Sequence, residues 1–318
     1  MVPTFVIPAN EAFVSGGNIY NNKIITSLKE ITRVERITWH MFSACRHTNT
    51  QYIFDSLYLD FFEKEQVVIP PCSILLLHYL DVFYEQRDNQ QLILKKIRLL
   101  NKFDYIIVTG AFTYEWLLNR GIPASKIVLI EPCIENGLPK RTLNGGKKKI
   151  LMIGNLVSVK GYTEILEELD VQKPTDVTLT VLGDGSIDKD YSRRILKQVK
   201  SSVYLSRIVQ VAGTVPQEDV RQFFAKSNLF LSASHFETFG MAVHEALQYG
   251  LAVYAIGNGN LSRIVHPLFR QFTNYPTLIS AVQTFDTSQK VVLPSESIRQ
   301  HTYSWKDAAI TLQACLLN

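Results

Sequence analysis

The chain has 318 residues, of which 46% are hydrophobic and 19% charged. This length favours more than one domain, and this composition excludes an intrinsically disordered protein. The net charge of +4 is too mild for a typical nucleic-acid-binding protein, although it is compatible with a basic face toward phosphate ligands or an anionic membrane. Four cysteines lack paired spacing, so neither a zinc site nor a disulfide framework is predicted, and a reducing cytoplasm fits them. They are Cys45, Cys72, Cys133 and Cys315.

Short apolar segments alternate with amphipathic ones along the chain, which is typical of parallel α/β sheets. In the first half the predicted strands are TFVIP, RITWHMF, QYIFDSL, SILLLHY, DYIIVTG and KIVLIEP, and the predicted helices are NIYNNKIITSLKE and FTYEWLLNRG. A second series runs from KILMIGN to LAVYAIG, after a polar linker predicted at Glu135–Lys149. We therefore expect two Rossmann-like, doubly wound domains, residues 1–142 and 143–300, facing each other across a cleft.

Neither a signal peptide nor a membrane-spanning helix is predicted. The start, MVPTFVIPANEAF, lacks a basic lead and a long apolar core. The most apolar window, VVIPPCSILLLHYL, contains two prolines and is shorter than the roughly 20 residues of a spanning helix. Ile93–Phe103 interleaves apolar and basic residues, which fits either a membrane-surface helix or a core helix with a solvated basic face. We expect a cytoplasmic protein, either soluble or at the inner face of a membrane.

Ligands of such sheets bind beyond the carboxyl ends of the strands, in the loops that open the next helices. In ILMIGNLVSVKGYTEILEEL, Lys160 lies at a helix N-terminus, where backbone N–H groups favour a phosphate or diphosphate. The alternative is an exposed lysine at a loop end. Two further loops, VLGDGS with Gly183 and VAGTVPQEDV with Gly213 and Val215, are candidate ligand contacts that are also ordinary turns.

The segment SASHFETFGMAVHEALQYG carries two glutamates, Glu237 in a loop and Glu245 in a helix that we expect to begin near Gly240. Carboxylates accept hydrogen bonds from hydroxyl pairs, so the two side chains suit a polyhydroxylated ligand. The amides of Phe239, Gly240 and Met241 at the helix N-terminus suit a phosphate. The alternative for Glu245 is a surface glutamate, although its neighbours in VHEAL are apolar.

These loops together resemble the nucleotide-sugar-binding domain of glycosyltransferase family 4, whose members are retaining enzymes of the GT-B fold. The resemblance runs from Lys149 to about Val265. The segment YSWKDAAITLQACLL is similar to the family's closing helix, which packs back toward the N-terminal domain. The resemblance therefore implies acceptor binding by residues 1–142, donor binding by residues 143–300, and a returning helix in residues 301–318.

The same resemblance implies roles for single residues. Glu237 contacts hydroxyls of the donor sugar, Glu245 binds the ribose, and Lys160 binds the diphosphate near the amides of residues 239–241. SILLLHYLDVF is similar to the family strand that ends in a histidine facing the cleft, so His78 is a candidate contact of the donor sugar; without the resemblance it would more often be structural.

NEAFVSGGNIYNNKI is similar to the family's Gly-rich loop, in which Gly16 and Gly17 would bring backbone amides near diphosphate or acceptor. Two positions depart from the family pattern. Asn155 stands where an arginine is usual, and a neutral donor contributes about half of a charge-assisted hydrogen bond. Arg263 stands where a glutamate is common, and either replaces the missing positive charge or has a structural role.

The resemblance implies transfer of a sugar, with retention, from a UDP-, GDP- or ADP-sugar to a hydroxyl of a glycan, lipid or small molecule. No cofactor besides this donor and no metal are expected, because metal-like histidine spacing is absent from the sequence. One alternative is a GT-B sugar-nucleotide epimerase. Another is a non-catalytic sugar-nucleotide-binding partner subunit, with Asn155 and Arg263 as marks of degeneration.

Overall fold

The computed structural model describes residues 2–9, 15–44, 50–83, 89–134, 146–287 and 303–317. The chain divides into two compact units: unit 1 is Met1–Cys133 with Thr302–Asn318, and unit 2 is Ile134–His301. The boundaries predicted at residues 142–143 and 300–301 lie outside the described residues, as does most of the predicted linker.

Unit 1 is built on a six-stranded sheet in which every strand pair is parallel. Its strands are β1 (Val2–Val6), β2 (Glu35–Ile37), β3 (Thr50–Asp55), β4 (Ile74–Leu77), β5 (Tyr105–Val108) and β6 (Ile127–Leu129). Its helices are α1 (Gly16–Lys29), α2 (Trp39–Ala44), α3 (Leu59–Lys64), α4 (Gln90–Leu100), α5 (Ala111–Leu118) and the C-terminal helix (Trp305–Leu317). The strands lie in the order β2-β1-β3-β4-β5-β6.

Successive residues of β1, β3, β4 and β5 in unit 1 face two different apolar layers. In β4, Leu75 and Leu77 belong to one core cluster while Ile74 and Leu76 belong to the other, and all four are fully buried. Helices cover both faces of the sheet, as a parallel sheet requires. The C-terminal helix packs on α1 and contributes Leu312 to the second layer.

Unit 2 repeats this plan. The strands of its main sheet are β7 (Lys148–Ile153), β8 (Val177–Leu182), β9 (Val209–Gly213), β10 (Leu229–Ser232), β12 (Ala252–Ala255) and β14 (Phe269–Gln271), and β11 (Phe236–Glu237) pairs with β13 (Asn258–Gly259) separately. Its helices are α6 (Tyr162–Gln172), α7 (Lys189–Ser201), α8 (Leu205–Ile208), α9 (Gln217–Lys226), α10 (Met241–Gln248) and α11 (Tyr275–Gln283). The main sheet is parallel in the order β14-β12-β10-β7-β8-β9, so the α/β prediction with two parallel sheets is confirmed.

Each sheet has one point at which the strand order reverses. In unit 1 the chain leaves β1 toward β2 and returns on the other side as β3, and in unit 2 the corresponding neighbours are β7 and β10. Consecutive connections therefore run in opposite directions and leave a crevice at the carboxyl ends of these strands, where ligands of open α/β sheets bind. We call these two places the switch points of unit 1 and unit 2.

One strand prediction is wrong in part. The segment RITWHMF was expected to be a strand, but β2 ends at Ile37 and α2 begins at Trp39. Trp39 and Phe42 are both buried, and their spacing of three positions is that of one helix face. The pattern of apolar and polar residues in this short segment is compatible with both a strand and a helix. The burial of Trp39 and Phe42 favours the helix.

Helix α4 contains most of the predicted amphipathic segment. It turns Ile97 and Leu100 into the core, exposes Lys95 and Arg98, and buries Lys96 between two carboxylates of unit 1. This is the arrangement of a core helix with a solvated basic face, and the membrane-surface alternative stays a prediction. Among the described residues, no helix is both long enough and apolar enough to cross a membrane.

The loops after β7 and β8 in unit 2 pack closely enough to exclude a side chain at Gly183, where a Cβ would overlap the carbonyl oxygen of Gly154. We expect Gly183→Ala to lower the free energy of unfolding by about 3 kcal/mol, because both neighbouring loops would have to move. Gly213→Ala is the control: no described atom lies within 4 Å of its Cβ position, so only its left-handed φ of 74° costs energy, about 1–2 kcal/mol. Urea unfolding compares the two variants, and equal losses would contradict the packing argument.

Candidate active site

The loop after β7 lies against the segment after β10 at the switch point of unit 2. Gly161 has a left-handed φ of 64°, and a Cβ there would overlap the carbonyl oxygen of Ala233. The backbone N–H of His235 donates a hydrogen bond to the carbonyl of Val159 at 2.8 Å. These backbone contacts hold Lys160, which lies between Val159 and Gly161, against the segment after β10.

Lys160 and Glu237 form an ion pair, with Nζ of Lys160 2.6 Å from Oε1 of Glu237. Their side chains are 28% and 18% exposed, so water reaches the pair only in part. Close by, the hydroxyl of buried Tyr162 donates to the carbonyl of Gly154 at 2.5 Å, and burial raises the pKa of Tyr162 so that it keeps its proton. The switch point thus presents a cation, which binds phosphate oxygens, beside a carboxylate, which accepts hydroxyl hydrogens.

A short strand pair supports the backbone around Glu237. β11 pairs with β13 so that Glu237 lies opposite Gly259. The buried side chain of Asn260 donates to the carbonyl of Phe239 at 3.2 Å. Arg263 is exposed and ends the helical turn that follows β13. Because β13 pairs with β11, the segment of Arg263 is joined to the segment of Glu237. Both interpretations of Arg263 stay open.

Helix α10 begins at Met241, one residue after the predicted start. Gly240 precedes it in a left-handed conformation with φ 89° and, as a glycine, has no side chain with which to cap this end. The ring of Phe239 is buried and stacks on His244 with centroids 4.3 Å apart. Glu245 lies one turn into the helix and is half-buried. The backbone amides at the N-terminus of α10 therefore directly follow the segment that carries Glu237.

The side chain of Asn155 accepts a hydrogen bond within unit 2, which an arginine, having no acceptor atom, would not do. Its Oδ1 accepts from the backbone N–H of Asp184 at 3.4 Å, and the N–H of Leu156 donates to the carbonyl of Asp184 at 2.8 Å. Asn155 thus joins the loop after β7 to the loop after β8.

The remaining candidates of unit 2 have structural contacts. Gly183 was expected to allow a ligand to approach the backbone closely. In the structure its backbone lies against that of Gly154, and its N–H donates to the carbonyl of Gly213 at 2.9 Å. Val215 is partly buried and packs against the core. Contacts of these residues with a ligand stay predictions.

Three polar side chains meet at the switch point of unit 1. Asp55 ends β3, Asn21 lies on α1, and His78 directly follows β4. Nδ2 of Asn21 donates to Oδ2 of Asp55 at 2.6 Å, and Oδ1 of Asn21 lies 2.8 Å from Nε2 of His78. Asn21 and Asp55 are each 1% exposed. The three side chains form one hydrogen-bonded row, which we call the Asp55–Asn21–His78 relay.

The start of α1 packs on the imidazole of His78. A Cβ on Gly17 would lie 3.4 Å from Cγ of His78, so the glycine backbone sits against the ring. Tyr20 packs edge-on with ring centroids 4.9 Å apart. Gly16 is the first residue of α1, whose end is capped by Ser15. The structure therefore brings together two residues that the sequence singled out, Gly17 and His78.

Asn21 and Asp55 were not predicted as site residues. One signal was present: the buried stripe of α1 also contains Ile24, Ile25 and Leu28, and Asn21 is the polar member at the same helical spacing. A polar side chain on an apolar stripe needs a buried partner, which marks it as a candidate for a specific role. Within the described ranges, no group of three or more His, Cys, Asp or Glu side chains is arranged to hold a metal ion.

Comparisons with known proteins identify the domains in which these residues lie. Residues 134–282 match the family described as Glycosyl transferases group 1. The chain contains a group 1 glycosyl transferase domain. Residues 48–132 match the Glucosyltransferase 3-like N-terminal domain. The glycosyl transferase domain includes Lys160, Glu237 and Glu245, and the second match includes Asp55 and His78.

Relatives of known sequence are distant. An uncharacterized 41.2 kDa protein in the cps region of Klebsiella pneumoniae is 24% identical over 66% of this chain and 56% of its own length. The GPI3 subunit of the phosphatidylinositol N-acetylglucosaminyltransferase of Saccharomyces cerevisiae is 26% identical over 56% of this chain and 40% of its own length. The chain thus spans about half the length of these relatives or less.

Solved structures match over nearly the whole chain. Sucrose-phosphate synthase of Thermosynechococcus elongatus has a TM-score of 0.73 at 17% identity, covering 99% of this chain and 95% of its own. HepE of Anabaena, solved with UDP and glucose, has a TM-score of 0.67 at 16% identity, covering 100% and 94%. These likenesses confirm the predicted GT-B fold class.

Burial lowers the pKa of His78 below the ordinary value of 6.5, and the charge of Asp55 opposes this in part. The unfolded chain therefore binds a proton at pH values where folded His78 does not, so the free energy of unfolding falls as the pH drops below about 6.5. We expect a shallower fall between about pH 7 and pH 5 in His78→Gln, measured by urea unfolding. Burial also lowers the pKa of His266, so the comparison is made in a His266→Gln background. An unchanged slope would rule out this role of His78.

Proposed function

We propose that the chain is a retaining glycosyltransferase of family 4, which moves a sugar from a nucleoside diphosphate sugar to a hydroxyl acceptor. The observation that carries the proposal is the pair of Lys160 and Glu237 at the switch point of the group 1 glycosyl transferase domain. A cation for phosphate and a carboxylate for hydroxyls stand side by side there, as a nucleotide sugar requires.

Donor binding exchanges the partners of this ion pair. The diphosphate takes the place of Glu237 at the ammonium of Lys160, and the sugar hydroxyls donate to the released carboxylate. Neither charge is left without a partner, which matters because an unpaired charge in a partly buried site is costly. The amides of Phe239, Gly240 and Met241 add donors for the diphosphate, and Glu245 accepts from the ribose.

The reaction breaks the bond between the anomeric carbon and the diphosphate oxygen and forms a bond from that carbon to the acceptor oxygen on the same face of the sugar. The acceptor proton passes to an oxygen of the departing diphosphate, so no protein base is needed. Lys160 stabilises the negative charge that develops on the leaving group. Glu237 positions the sugar and is not a nucleophile.

We assign acceptor binding to unit 1 and a contact with the donor sugar to His78, with the amides of Gly16 and Gly17 near diphosphate or acceptor. UDP, GDP and ADP are the candidate bases. HepE was solved with UDP and with UDP-glucose, which favours a UDP-sugar. Free thiols at Cys72 and Cys133 fit a reducing cytoplasm, where α4 offers a basic face to a membrane surface.

Asn155 favours one alternative, a non-catalytic subunit that binds the nucleotide sugar. Its side chain stands in place of a family arginine and is hydrogen-bonded to Asp184. Such a subunit would bind a donor and release no nucleoside diphosphate with any pool of acceptors. A sugar-nucleotide epimerase would isomerise the donor without an acceptor, which NMR of the nucleotide sugar detects.

Removing either member of the ion pair should abolish transfer while the chain stays folded. We expect Lys160→Ala and Glu237→Ala each to lower turnover at least about 100-fold, since each removes a group that acts on charge or position in the transition state. Release of nucleoside diphosphate in the presence of an acceptor pool measures turnover. The matched controls are Lys197→Ala and Glu218→Ala, on exposed positions of the same unit. Wild-type turnover in both test variants would refute the proposal.

A thermal-shift screen identifies the donor. A nucleotide sugar present at about 100 times its dissociation constant stabilises the folded chain by about 2.7 kcal/mol. We expect one of the UDP-, GDP- and ADP-sugars to raise the melting temperature, and Lys160→Ala to reduce that shift. A shift that is equal for all three bases would show that the protein does not select the base.

A further inference from the structure

We propose that Tyr162 is a positioning residue for Lys160, because its hydroxyl holds the backbone of Gly154 against the aliphatic stem of that lysine. The ammonium of Lys160 can then exchange partners while the stem stays in place. The order of the stem is a property of unit 2 alone, whereas its effect on nucleotide binding rests on the proposed function. Tyr162 was not predicted as a site residue.

The hydrogen bond from Tyr162 to Gly154 closes the loop that carries Lys160. Gly154 directly follows β7, and Tyr162 is the first residue of α6. The hydroxyl of Tyr162 donates to the carbonyl oxygen of Gly154 at 2.5 Å, and a carbonyl can only accept, so the direction of this bond is fixed. Tyr162 is 2% exposed and belongs to the core of unit 2, so packing holds the donor of this bond in place.

The stem of Lys160 lies against the place where this bond forms. A Cβ on Gly154 would lie 3.3 Å from the hydroxyl oxygen of Tyr162 and 3.5 Å from both Cδ and Cε of Lys160. The last two methylene groups of the lysine therefore pack beside the glycine backbone and the tyrosine hydroxyl, while Nζ reaches Glu237. A lysine side chain that is ordered in the folded chain has less conformational entropy to lose when its ammonium binds a ligand.

Tyr162 keeps its hydrogen while the ammonium of Lys160 changes partner. Burial raises the pKa of the phenol well above its ordinary value of 10, and the charges of Tyr191 and Glu237 raise this pKa further. When a diphosphate draws Lys160 away from Glu237, the carboxylate loses its countercharge, so its effect on the phenol increases in the same direction. The hydrogen bond to Gly154 is therefore kept through the exchange that donor binding requires.

Tyr162→Phe removes this hydrogen bond and keeps the ring. The phenyl group still fills its place in the core, so we expect the chain to fold, but the carbonyl of Gly154 loses the hydrogen bond that holds it. Tyr204→Phe is the matched control, because the hydroxyl of Tyr204 donates to the carbonyl of Pro174, also at 2.5 Å and in the same unit. Tyr204 directly precedes α8, and its bond is made to the segment before β8 and not to the loop of Lys160.

Relaxation of ¹³C at the ε-methylene of Lys160, measured by NMR in the full chain without ligand, tests the ordering. We expect Cε to be more restricted in Lys160 than in exposed Lys197. Tyr162→Phe should raise the mobility of Lys160 toward that of Lys197, and Tyr204→Phe should leave it unchanged. Equal mobility of the two lysines in the wild-type chain, or an unchanged Lys160 in Tyr162→Phe, would overturn the proposal.

Binding of UDP tests the consequence for the ligand. Ordering a lysine side chain costs about a factor of ten in affinity, so we expect Tyr162→Phe to weaken UDP binding about 10-fold and Tyr204→Phe to leave it unchanged. In a Lys160→Ala background, Tyr162→Phe should have no further effect. A loss of the same size in that background would show that Tyr162 acts on the fold and not through Lys160, and would overturn the proposal. If the wild-type chain binds none of UDP, GDP and ADP, the proposed donor is wrong, while the NMR result still decides the role of Tyr162.

Discussion

The close backbone approach of two loops at the switch point of unit 2 is the constraint on which the candidate active site depends. Gly161 can lie against the carbonyl of Ala233 only because it has no side chain and tolerates a left-handed conformation. That approach brings the ammonium of Lys160 to the carboxylate of Glu237. Exposed lysine–glutamate pairs contribute little, because two long side chains must be ordered in solvent. Here the backbone contacts already place Lys160 beside Glu237, so less conformational entropy is lost when the ion pair forms.

Both units have a crevice at the switch point of the sheet, but the side chains at the two switch points differ in chemistry. Each parallel sheet opens a crevice where its strand order reverses. Unit 2 places opposite charges there, Lys160 and Glu237, which can exchange partners with a ligand that carries both phosphate and hydroxyl groups. Unit 1 places a buried carboxylate there, Asp55, which is joined through Asn21 to the imidazole of His78.

Sequence patterns predicted the fold better than the site because the two depend on contacts of different range. Strands and most helices follow from local periodicity, and the loops with Lys160 and Glu237 were identified because they end strands. The pairing of these two residues joins positions 77 apart, and the bond between Asn21 and Asp55 joins positions 34 apart. No local pattern encodes such pairs. Two-residue strands such as β11 are also too short for a periodicity to be detected.

Asn155 changes how the charge of a leaving diphosphate would be balanced. An arginine at this position would add a fixed cation, whereas the amide oxygen of Asn155 is already turned to the N–H of Asp184. An oxygen in that direction supplies no positive charge, so in the proposed function the balance falls on Lys160, on the backbone amides before α10 and, in one of its two interpretations, on Arg263. Those amides carry only partial charges, and their effect is confined to the first turn of the helix. In the proposed function, the loss of Lys160 therefore costs more than it would in a site with an arginine at position 155.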